Sequence, residues 1–522
     1  MDRPARPLDQ TSGQRNWLPT LTWGVILLAA CSVFFGNLRF GNAVLSIGLE
    51  DDFFYYAQVA RNLAFHGTSS FDGTHLTNGY HPLWLLVLTV LTKLFDIGGV
   101  LGIKTVYPMA VAIEVVQLAL ILAIAYFVSR IANLFCSVTA SCAIQLLAIT
   151  GALMIVRSGM ESGLTTALAF AMLWYRLRPD FDWSTSRIFR YGMLASLMVL
   201  SRLDAVLLVG MLFVMDVVPE GRPAGQRLRN IGWFLMGLWP LVVYAIVNEA
   251  VFGAVMPVSA TAKALGDTYL PAAVAMISFG HRLFNPKLPV YAICVALTLG
   301  VPVLLLLKRL SSPTGCIGLV WAFLLFPIVH FLAVVTRSDW MIWPWYVYAW
   351  PIAGVVAAIM LLRPAGSIRL ATICFGLSLA LLALDAAYLV HSSRTEDELT
   401  YLAGEDIAGF AATHPGIYAM GDRAGAPAYL SNQPFVQLEG LMMGPEFLDN
   451  IRGGKNVKDV LHAYNVRYYV TTGAAPDSAG CYAVREPAQA GPKSPTMRSL
   501  LCQTPVATFD HRGFVNHIFE MQ

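Results

Sequence analysis

The sequence predicts a polytopic α-helical membrane protein with a soluble α+β domain at its C-terminal end. Of its 522 residues, 57% are apolar and 13% are charged, whereas soluble chains carry about 25% charged residues. The charges are unevenly distributed, with 43 of the 67 in residues 1–391 (11%) and 24 in residues 392–522 (18%). We therefore expect a membrane domain over 1–391 and a soluble domain over 392–522. The net charge of +3 shows no basic stripe, so no nucleic-acid partner is expected.

Apolar runs of about 20 residues, which cross about 30 Å of hydrocarbon, predict the membrane-spanning helices. The uninterrupted runs cover 21–38, 105–128, 134–155, 163–177, 231–248, 288–307, 316–335, 345–362 and 370–391. A further run, 190–217, is interrupted by Arg202 and Asp204. We interpret it as two half-spans, because ionisable groups at mid-depth require a protein-lined or watery cavity. The total is about eleven transmembrane helices.

Lys and Arg in short connections mark the cytoplasmic side of a membrane protein. Fifteen of them fall in alternate connections: Arg3, Arg6, Arg15, Arg130, Arg176, Arg178, Arg187, Arg190, Arg222, Arg227, Arg229, Lys308, Arg309, Arg363 and Arg369. We therefore expect a cytoplasmic N-terminus without a cleaved signal peptide and a C-terminal domain outside. A span at 82–95 would reverse every later connection. This run is thus expected to be an interfacial or re-entrant helix in a first external loop over 39–104.

The C-terminal domain mixes helical and strand patterns, and 465–470 is its best strand. It also contains Cys481 and Cys502. Outside the cytoplasm these two residues can form a disulfide, or they can remain two buried thiols.

Three consecutive carboxylates, Glu50, Asp51 and Asp52, follow the first span and are flanked by aromatic residues rather than Lys or Arg. Carboxylates this close repel one another, which raises the pKa of at least one of them. A raised pKa suits a general base, and several oxygen ligands suit a metal ion. The cluster therefore indicates a reactive site, although a solvated acidic start of the loop is the alternative.

The first external loop resembles that of the GT-C superfamily of membrane glycosyltransferases. The likeness rests on the Asp51-Asp52 start, the Ala-Arg-Asn of 60–62 and the Gly-Tyr-His-Pro-Leu-Trp of 79–84. It is greatest to bacterial members similar to the mycobacterial terminal arabinofuranosyltransferases. His81 stands where that group carries Thr-Ser, so the sugar stays open among arabinofuranose, mannose, galactose and aminoarabinose.

Weaker likenesses to the same superfamily occur along most of the chain. They comprise Ser158-Gly159-Met160-Glu161-Ser162, Ser201-Arg202-Leu203-Asp204, Pro257–Lys263 with Val258 in place of Asn, Gly421–Gly425, and Glu439-Gly440-Leu441. The resemblance implies a bacterial inner-membrane enzyme with its catalytic face outside. It would move a sugar from a polyprenyl-phosphate donor to a glycan or lipid acceptor of the cell envelope.

The resemblance also suggests roles for individual residues. Asp51 is expected to be the general base, with Asp52 supporting it. Lys263, His81, Arg337 and Tyr80 are the candidates for donor and phosphate binding. For Lys263 the alternative is interfacial snorkelling, and for Arg337 it is an aromatic interfacial belt.

A divalent cation, Mg²⁺, Mn²⁺ or Ca²⁺, is a further hypothesis, with Asp52 and Glu161 as its ligands. The roles of Glu50, Arg202 and Asp204 remain open, and the last two can simply pair with each other. A transporter or lipid flippase is the alternative function, since intramembrane charges can line a substrate path. The absence of an internal repeat in the sequence favours the transferase.

The topology leads to a prediction that is independent of function. A cysteine introduced near residue 455 should react with a membrane-impermeant maleimide in intact spheroplasts, because the C-terminal domain is expected outside. A cysteine near residue 225 should react only after lysis and serves as the control. The opposite labelling pattern would overturn the assignment of sides.

Overall fold

The computed structural model describes residues 17–521 except 40–44, 96–107, 220–222, 267–270, 308–309, 311–315, 364–367 and 432. Parts of the first external loop and the predicted cytoplasmic residues Arg3, Arg6, Arg15, Arg222, Lys308 and Arg309 therefore lie outside the described residues. Up to residue 392 the chain is helical, apart from one pair of two-residue strands, β1 (Leu38–Arg39) and β2 (Leu45–Ser46). The helices are α1 (Trp17–Phe35), α2 (Asp51–His66), α3 (Pro82–Phe95), α4 (Pro108–Ala132), α5 (Val138–Arg157), α6 (Ser162–Leu177), α7 (Thr185–Ser201), α8 (Val206–Leu212), α9 (Ala224–Gly237), α10 (Trp239–Phe252), α11 (Val258–Lys263), α12 (Ala273–Leu283), α13 (Val290–Leu306), α14 (Ile317–Arg337), α15 (Ala349–Leu362) and α16 (Ile368–Ser392).

The apolar helices make the chain a multi-pass membrane protein. Among the described residues, six helices are long and apolar enough to cross a membrane, or seven if α9 and α10, bent by 43°, form one span. Every predicted span coincides with a helix or a helical pair, but α6, α7, α8 and α13 have fewer than 18 residues. The total of eleven crossings therefore stays a prediction. A helix at 82–95 is confirmed as α3, which packs on α2, α4 and α7.

The interrupted stretch forms two helices, α7 and α8, joined by a turn, and its depth in a membrane stays a prediction. Arg202 follows α7 directly and contacts Ser162 at the start of α6. Asp216, just beyond α8, binds Arg176 at the other end of α6. Because the 16 residues of α6 extend for about 24 Å, α7 and α8 connect the same two ends. Arg202 therefore lies at the end that carries the first external loop, which contacts the turn through His81.

The C-terminal part is an α+β domain, as the pattern predicted. It contains α17 (Glu398–Thr413), α18 (Gly425–Ser431), α19 (Leu448–Arg452) and α20 (Val457–Ala463), with strands β3 (Tyr418–Met420), β4 (Phe435–Gln437), β5 (Tyr468–Thr472), β6 (Tyr482–Glu486), β7 (Met497–Leu501), β8 (Ala507–His511) and β9 (Phe514–Glu520). The main sheet has the order β4-β3-β5-β9-β8, in which β3 is parallel to β4 and β5. The predicted strand at 465–470 is β5, shifted towards the C-terminus. A disulfide joins Cys481 to Cys502.

The first external loop and the C-terminal domain share one hydrophobic core. Phe53 and Phe54 of α2 are buried in the same cluster as Tyr429 of α18. The rings of Phe54 and Tyr429 lie 5.8 Å apart. The membrane helices form a separate core in which α5 is almost entirely buried. The loop therefore packs with the C-terminal domain, and the domain boundary at 391 stays a prediction.

Asp51 fastens the loop to this domain. Its Oδ1 accepts the backbone N–H of Ala426 at 2.8 Å, and its Oδ2 accepts that of Gly425 at 3.0 Å. These N–H groups begin α18 and have no helical partner, so a carboxylate there satisfies them. A Cβ on residue 425 would lie 2.3 Å from the backbone oxygen of Asp51. Glycine is therefore required for this close approach.

We predict that Asp51→Asn loosens this attachment. An asparagine side chain offers one acceptor oxygen and turns an N–H towards the other backbone donor, so at least one hydrogen bond to a charged group, worth about 1.5–3 kcal/mol, is lost. Hydrogen exchange of the peptide covering 418–431 should accelerate in the full-length protein. Asp449→Asn, on the exposed surface of α19, is the control. Unchanged exchange in Asp51→Asn would contradict this anchoring role.

Candidate active site

The site lies where the start of α2 meets the C-terminal domain and the turn after α7. Asp51 and Asp52 occupy the first turn of α2, and Glu50 precedes it in extended conformation. Burial raises the pKa of Asp51 to about 6, despite the two backbone N–H groups that favour its ionised form. Both oxygens of Asp51 are occupied by these donors.

Asp52 has a different environment from its neighbour. Among the described residues, its carboxylate has no hydrogen-bond partner. Burial raises the pKa of Asp52 to about 7, opposed by the positive charge of Lys263 and reinforced by the negative charge of Asp51. A partly buried carboxylate with this pKa and free oxygens can take up a proton at neutral pH.

Lys263 is the cation that faces Asp52. It ends the short helix α11, and its Nζ donates to the hydroxyl of Tyr346 at 3.1 Å. Burial lowers the pKa of Lys263, but Tyr346 and Asp52 together hold it above its ordinary value. Lys263 therefore stays charged, and interfacial snorkelling does not describe it.

Arg202 is held rigidly next to this cluster. Its Nη1 lies 2.5 Å from Oε1 of Glu161 and 2.9 Å from Oγ of Ser162. Its Nε lies 3.0 Å from the carboxylate of Asp204. The guanidinium is buried and packs over the ring of Tyr346 at 4.6 Å. Two carboxylates thus compensate one guanidinium, which makes Arg202 a structural centre of the site.

Asp204 is fixed in turn by two further side chains. His330 of α14 lies 3.0 Å from its Oδ2, and the hydroxyl of Tyr348 donates to its Oδ1 at 2.8 Å. Neither partner was identified from the sequence, since a lone histidine or tyrosine in an apolar run is typical of ordinary packing. The network connects α14 and the segment before α15 to the turn after α7.

His81 joins this network from the first external loop. Its Nδ1 accepts the backbone N–H of Leu203 at 3.2 Å, so the neutral ring carries its proton on Nε2. That nitrogen lies 3.6 Å from Oε1 of Glu161. Burial lowers the pKa of His81, which favours the neutral ring. His81 therefore positions the loop against Glu161 and Leu203.

Two donor-binding candidates make no described contact with the acids and cations of the cluster. Arg337 ends α14 with an exposed side chain, and no contact within the described ranges links it to the cluster. The hydroxyl of Tyr80 lies 2.6 Å from Oγ of Ser69, inside the loop. A donor-binding role for Arg337 or Tyr80 therefore stays a prediction without support from these contacts.

The geometry does not support the metal hypothesis for Asp52 and Glu161. Within the part of the chain that the structure describes, no three His, Cys, Asp or Glu side chains converge as a ligand set. Glu161 is paired with Arg202, and Asp52 faces Lys263. Arg202 and Lys263 thus balance the two carboxylates that were expected to bind a divalent ion. No reaction step is assigned to such an ion.

Two acids of the C-terminal domain complete the site. Asp422 follows β3 and Glu439 follows β4, and the carboxyl ends of these parallel neighbours meet at one sheet edge. Both acids act electrostatically on Asp52 or Lys263. Burial first, and then Asp422, raises the pKa of Glu439 well above its ordinary value. In the sequence, each of these acids stands two residues after a strand. This pattern becomes informative only once the pairing of β3 with β4 is known.

Comparisons with known proteins identify the fold of the chain. No family model matches the chain, and no curated protein matches it. Among solved structures, ArnT from Cupriavidus metallidurans bound to undecaprenyl phosphate is similar, with 14% identity, a TM-score of 0.56, and coverage of 88% of this chain and 93% of ArnT. The Archaeoglobus fulgidus oligosaccharyltransferase tethered with an acceptor peptide has 12% identity, a TM-score of 0.50, and coverage of 88% and 69%. The chain therefore has the fold of the GT-C glycosyltransferase superfamily.

Proposed function

We propose that the protein is a glycosyltransferase that moves a sugar from a polyprenyl-phosphate donor to a hydroxyl of a cell-envelope acceptor. The observation that carries the proposal is the pair formed by Asp52, a carboxylate without a hydrogen-bond partner, and Lys263, a charged amine. One can accept a proton and the other can stabilise a phosphate. The shared fold with ArnT, a protein bound to undecaprenyl phosphate in its own structure, supports a lipid-linked donor.

Asp52, rather than Asp51, is the general base in this proposal. The oxygens of Asp51 accept two backbone N–H groups, so proton uptake would cost those bonds. Asp52 has free oxygens and a pKa of about 7, close to the pH at which a base is most effective. The sequence resemblance assigns the base to Asp51 and the supporting role to Asp52, and these two roles are exchanged in the present proposal.

The reaction needs no general acid. The acceptor oxygen attacks the anomeric carbon while its proton passes to Asp52. The bond between that carbon and the phosphate oxygen breaks, and its electron pair leaves with the polyprenyl phosphate. Because phosphate is a stable anion, it needs a cation rather than a proton, and Lys263 supplies that charge. Arg202 is already compensated by Glu161 and Asp204, so it holds Tyr346 and the loop in place.

We further propose the orientation inferred from the basic connections, with the site on the outer face of a bacterial inner membrane. The membrane domain would then cover 1–391, and the domain over 392–522 would be periplasmic. The flippase alternative is less favoured in this proposal, because Arg202 pairs with Glu161 and Asp204 and its charge is already compensated within the protein.

Substitution Asp52→Asn should reduce kcat by about 10²- to 10⁴-fold, the range that a general base contributes. In the wild type, kcat/KM should rise with pH and level off above about 7, because the base acts only in its ionised form. The variant should lose this pH dependence. Transfer of radiolabelled sugar from a polyprenyl-phosphate donor into envelope glycans provides the measurement.

The control for this experiment is Asp449→Asn, an exposed acid of the C-terminal domain that packs on the loop. It should retain wild-type rates and the same pH profile. Wild-type turnover in Asp52→Asn would reject Asp52 as the base, and full loss in Asp51→Asn with native hydrogen exchange would return the role to Asp51.

Lys263→Ala should weaken donor binding about 10- to 160-fold, since a hydrogen bond to a charged group is worth about 1.5–3 kcal/mol. The donor KM reports this loss, and the acceptor KM should change little. Lys93→Ala, on the exposed face of α3, is the matched control. An unchanged donor KM in Lys263→Ala would show that another group binds the phosphate.

A further inference from the structure

A small pocket lies at the end of α6 that is opposite to the proposed active site. It has a volume of about 70 Å³ and is formed by the end of α6, the connection over 178–184 and the first two turns of α7. Three guanidiniums, one carboxylate and two aromatic rings line it: Arg178, Arg187, Arg190, Asp180, Tyr175 and Phe181. Because α6 starts at Ser162 beside Arg202, its 16 residues separate the pocket from that site by about 24 Å.

The guanidiniums of the pocket outnumber the acids that pair with them. Arg178 donates to Asp180 through Nε at 2.9 Å and Nη2 at 2.8 Å. Arg187 lies 3.5 Å from the same acid and 3.4 Å from Asp182, distances longer than a direct hydrogen bond. Arg190 is exposed and, among the described residues, pairs with no acid. Three guanidiniums against two carboxylates leave one positive charge at the pocket.

The three guanidiniums converge on the hydroxyl of Tyr175. All three act electrostatically on that group, which also donates to the backbone oxygen of Arg187 at 3.3 Å. Guanidinium groups bind phosphate oxygens through parallel N–H groups. One water molecule needs a cavity of about 10–15 Å³, so the larger pocket has room for a small anionic group.

The wall of the pocket is held by a buried ion pair. Arg176 donates to both carboxylate oxygens of Asp216, at 2.8 and 2.9 Å. Its guanidinium lies 4.9 Å from the centroid of the Phe181 ring and 4.6 Å from that of Trp183. These contacts hold the connection over 178–184 in place before a ligand binds, which lowers the entropic cost of binding.

The surroundings of the pocket favour a lipid over a free anion. Tyr175, Phe181 and Trp183 form a cluster of rings, which is typical of the headgroup level of a membrane. Helix α9 adjoins this cluster, because Arg229 donates to the backbone oxygen of Trp183 at 3.3 Å. The neighbouring Leu228 is 68% exposed. An apolar surface suited to acyl chains therefore lies next to the pocket.

We infer that this arginine pocket binds the phosphate group of an anionic phospholipid whose acyl chains lie along α9. A phosphodiester carries one negative charge, which matches the one positive charge that the two acids leave. Basic pockets between membrane helices on the cytoplasmic side are suited to anionic headgroups, and the basic connections predict that side here. The inference does not depend on the transferase proposal, because no residue of the pocket belongs to the proposed active site.

Lipid binding to the full-length protein in detergent micelles tests this inference, with native mass spectrometry as the readout. Dioleoyl phosphatidylglycerol is the anionic probe. Dioleoyl phosphatidylcholine has the same chains and a phosphate but no net charge, and inorganic phosphate lacks the chains. We expect phosphatidylglycerol to bind at least about tenfold more tightly than phosphatidylcholine, and inorganic phosphate at the same concentration not to displace it. Equal binding of the two lipids would overturn the inference, and displacement by inorganic phosphate would do so by showing a site for a free anion.

Two substitutions locate the binding in the pocket. Arg190→Gln removes the unpaired guanidinium from an exposed position and should weaken phosphatidylglycerol binding about tenfold or more. Arg187→Gln should have an effect of the same size. The matched control is Arg369→Gln, exposed on α16, which should weaken binding at most about fivefold, the general effect of one basic residue near an anionic lipid. Binding that survives both pocket substitutions would overturn the inference.

Discussion

The organisation of the site depends on the attachment of Asp51 to the start of α18. This single carboxylate connects residues 374 positions apart in sequence, and it brings the first external loop under the C-terminal domain. Burial of the neighbouring Asp52 is a consequence, because the domain excludes water from the first turn of α2. The raised pKa of Asp52 thus follows from an interaction that Asp52 does not itself make.

A second constraint is the compensation of Arg202 on the membrane side. A buried guanidinium without a partner is costly, so Glu161 and Asp204 must remain with it. Because those acids belong to the start of α6 and the turn before α8, the pair fixes where these helices end. Asp204 extends the constraint to α14 through His330. Loop and helices are therefore held by ion pairs at one end, where apolar packing alone would permit sliding.

The sequence predicted those features that depend on local pattern. Every span predicted from hydropathy coincides with a helix or a helical pair. The acid pair and the Gly-Tyr-His-Pro stretch located the first loop. Sequence patterns could not predict which distant segments pair with each other. Hydropathy located the break at Arg202, but it could not show that this guanidinium pairs with Glu161 as well as with Asp204. Lys263 and Arg337 both had an interfacial role as the alternative, and only folding brings Lys263 to Tyr346 while Arg337 stays exposed.

The excess of acids at the site raises the question of how an anionic donor could approach it. Among the described residues, the acids Asp51, Asp52, Asp422 and Glu439 outnumber the nearby cations Lys263 and Arg423. Burial resolves the imbalance, because the pKa of Glu439 lies well above its ordinary value and that of Asp52 is about 7. Burial therefore favours the protonated form of Glu439, and Asp52 is only partly ionised at neutral pH. The same burial that prepares Asp52 to accept a proton lowers the negative charge that a phosphate would meet.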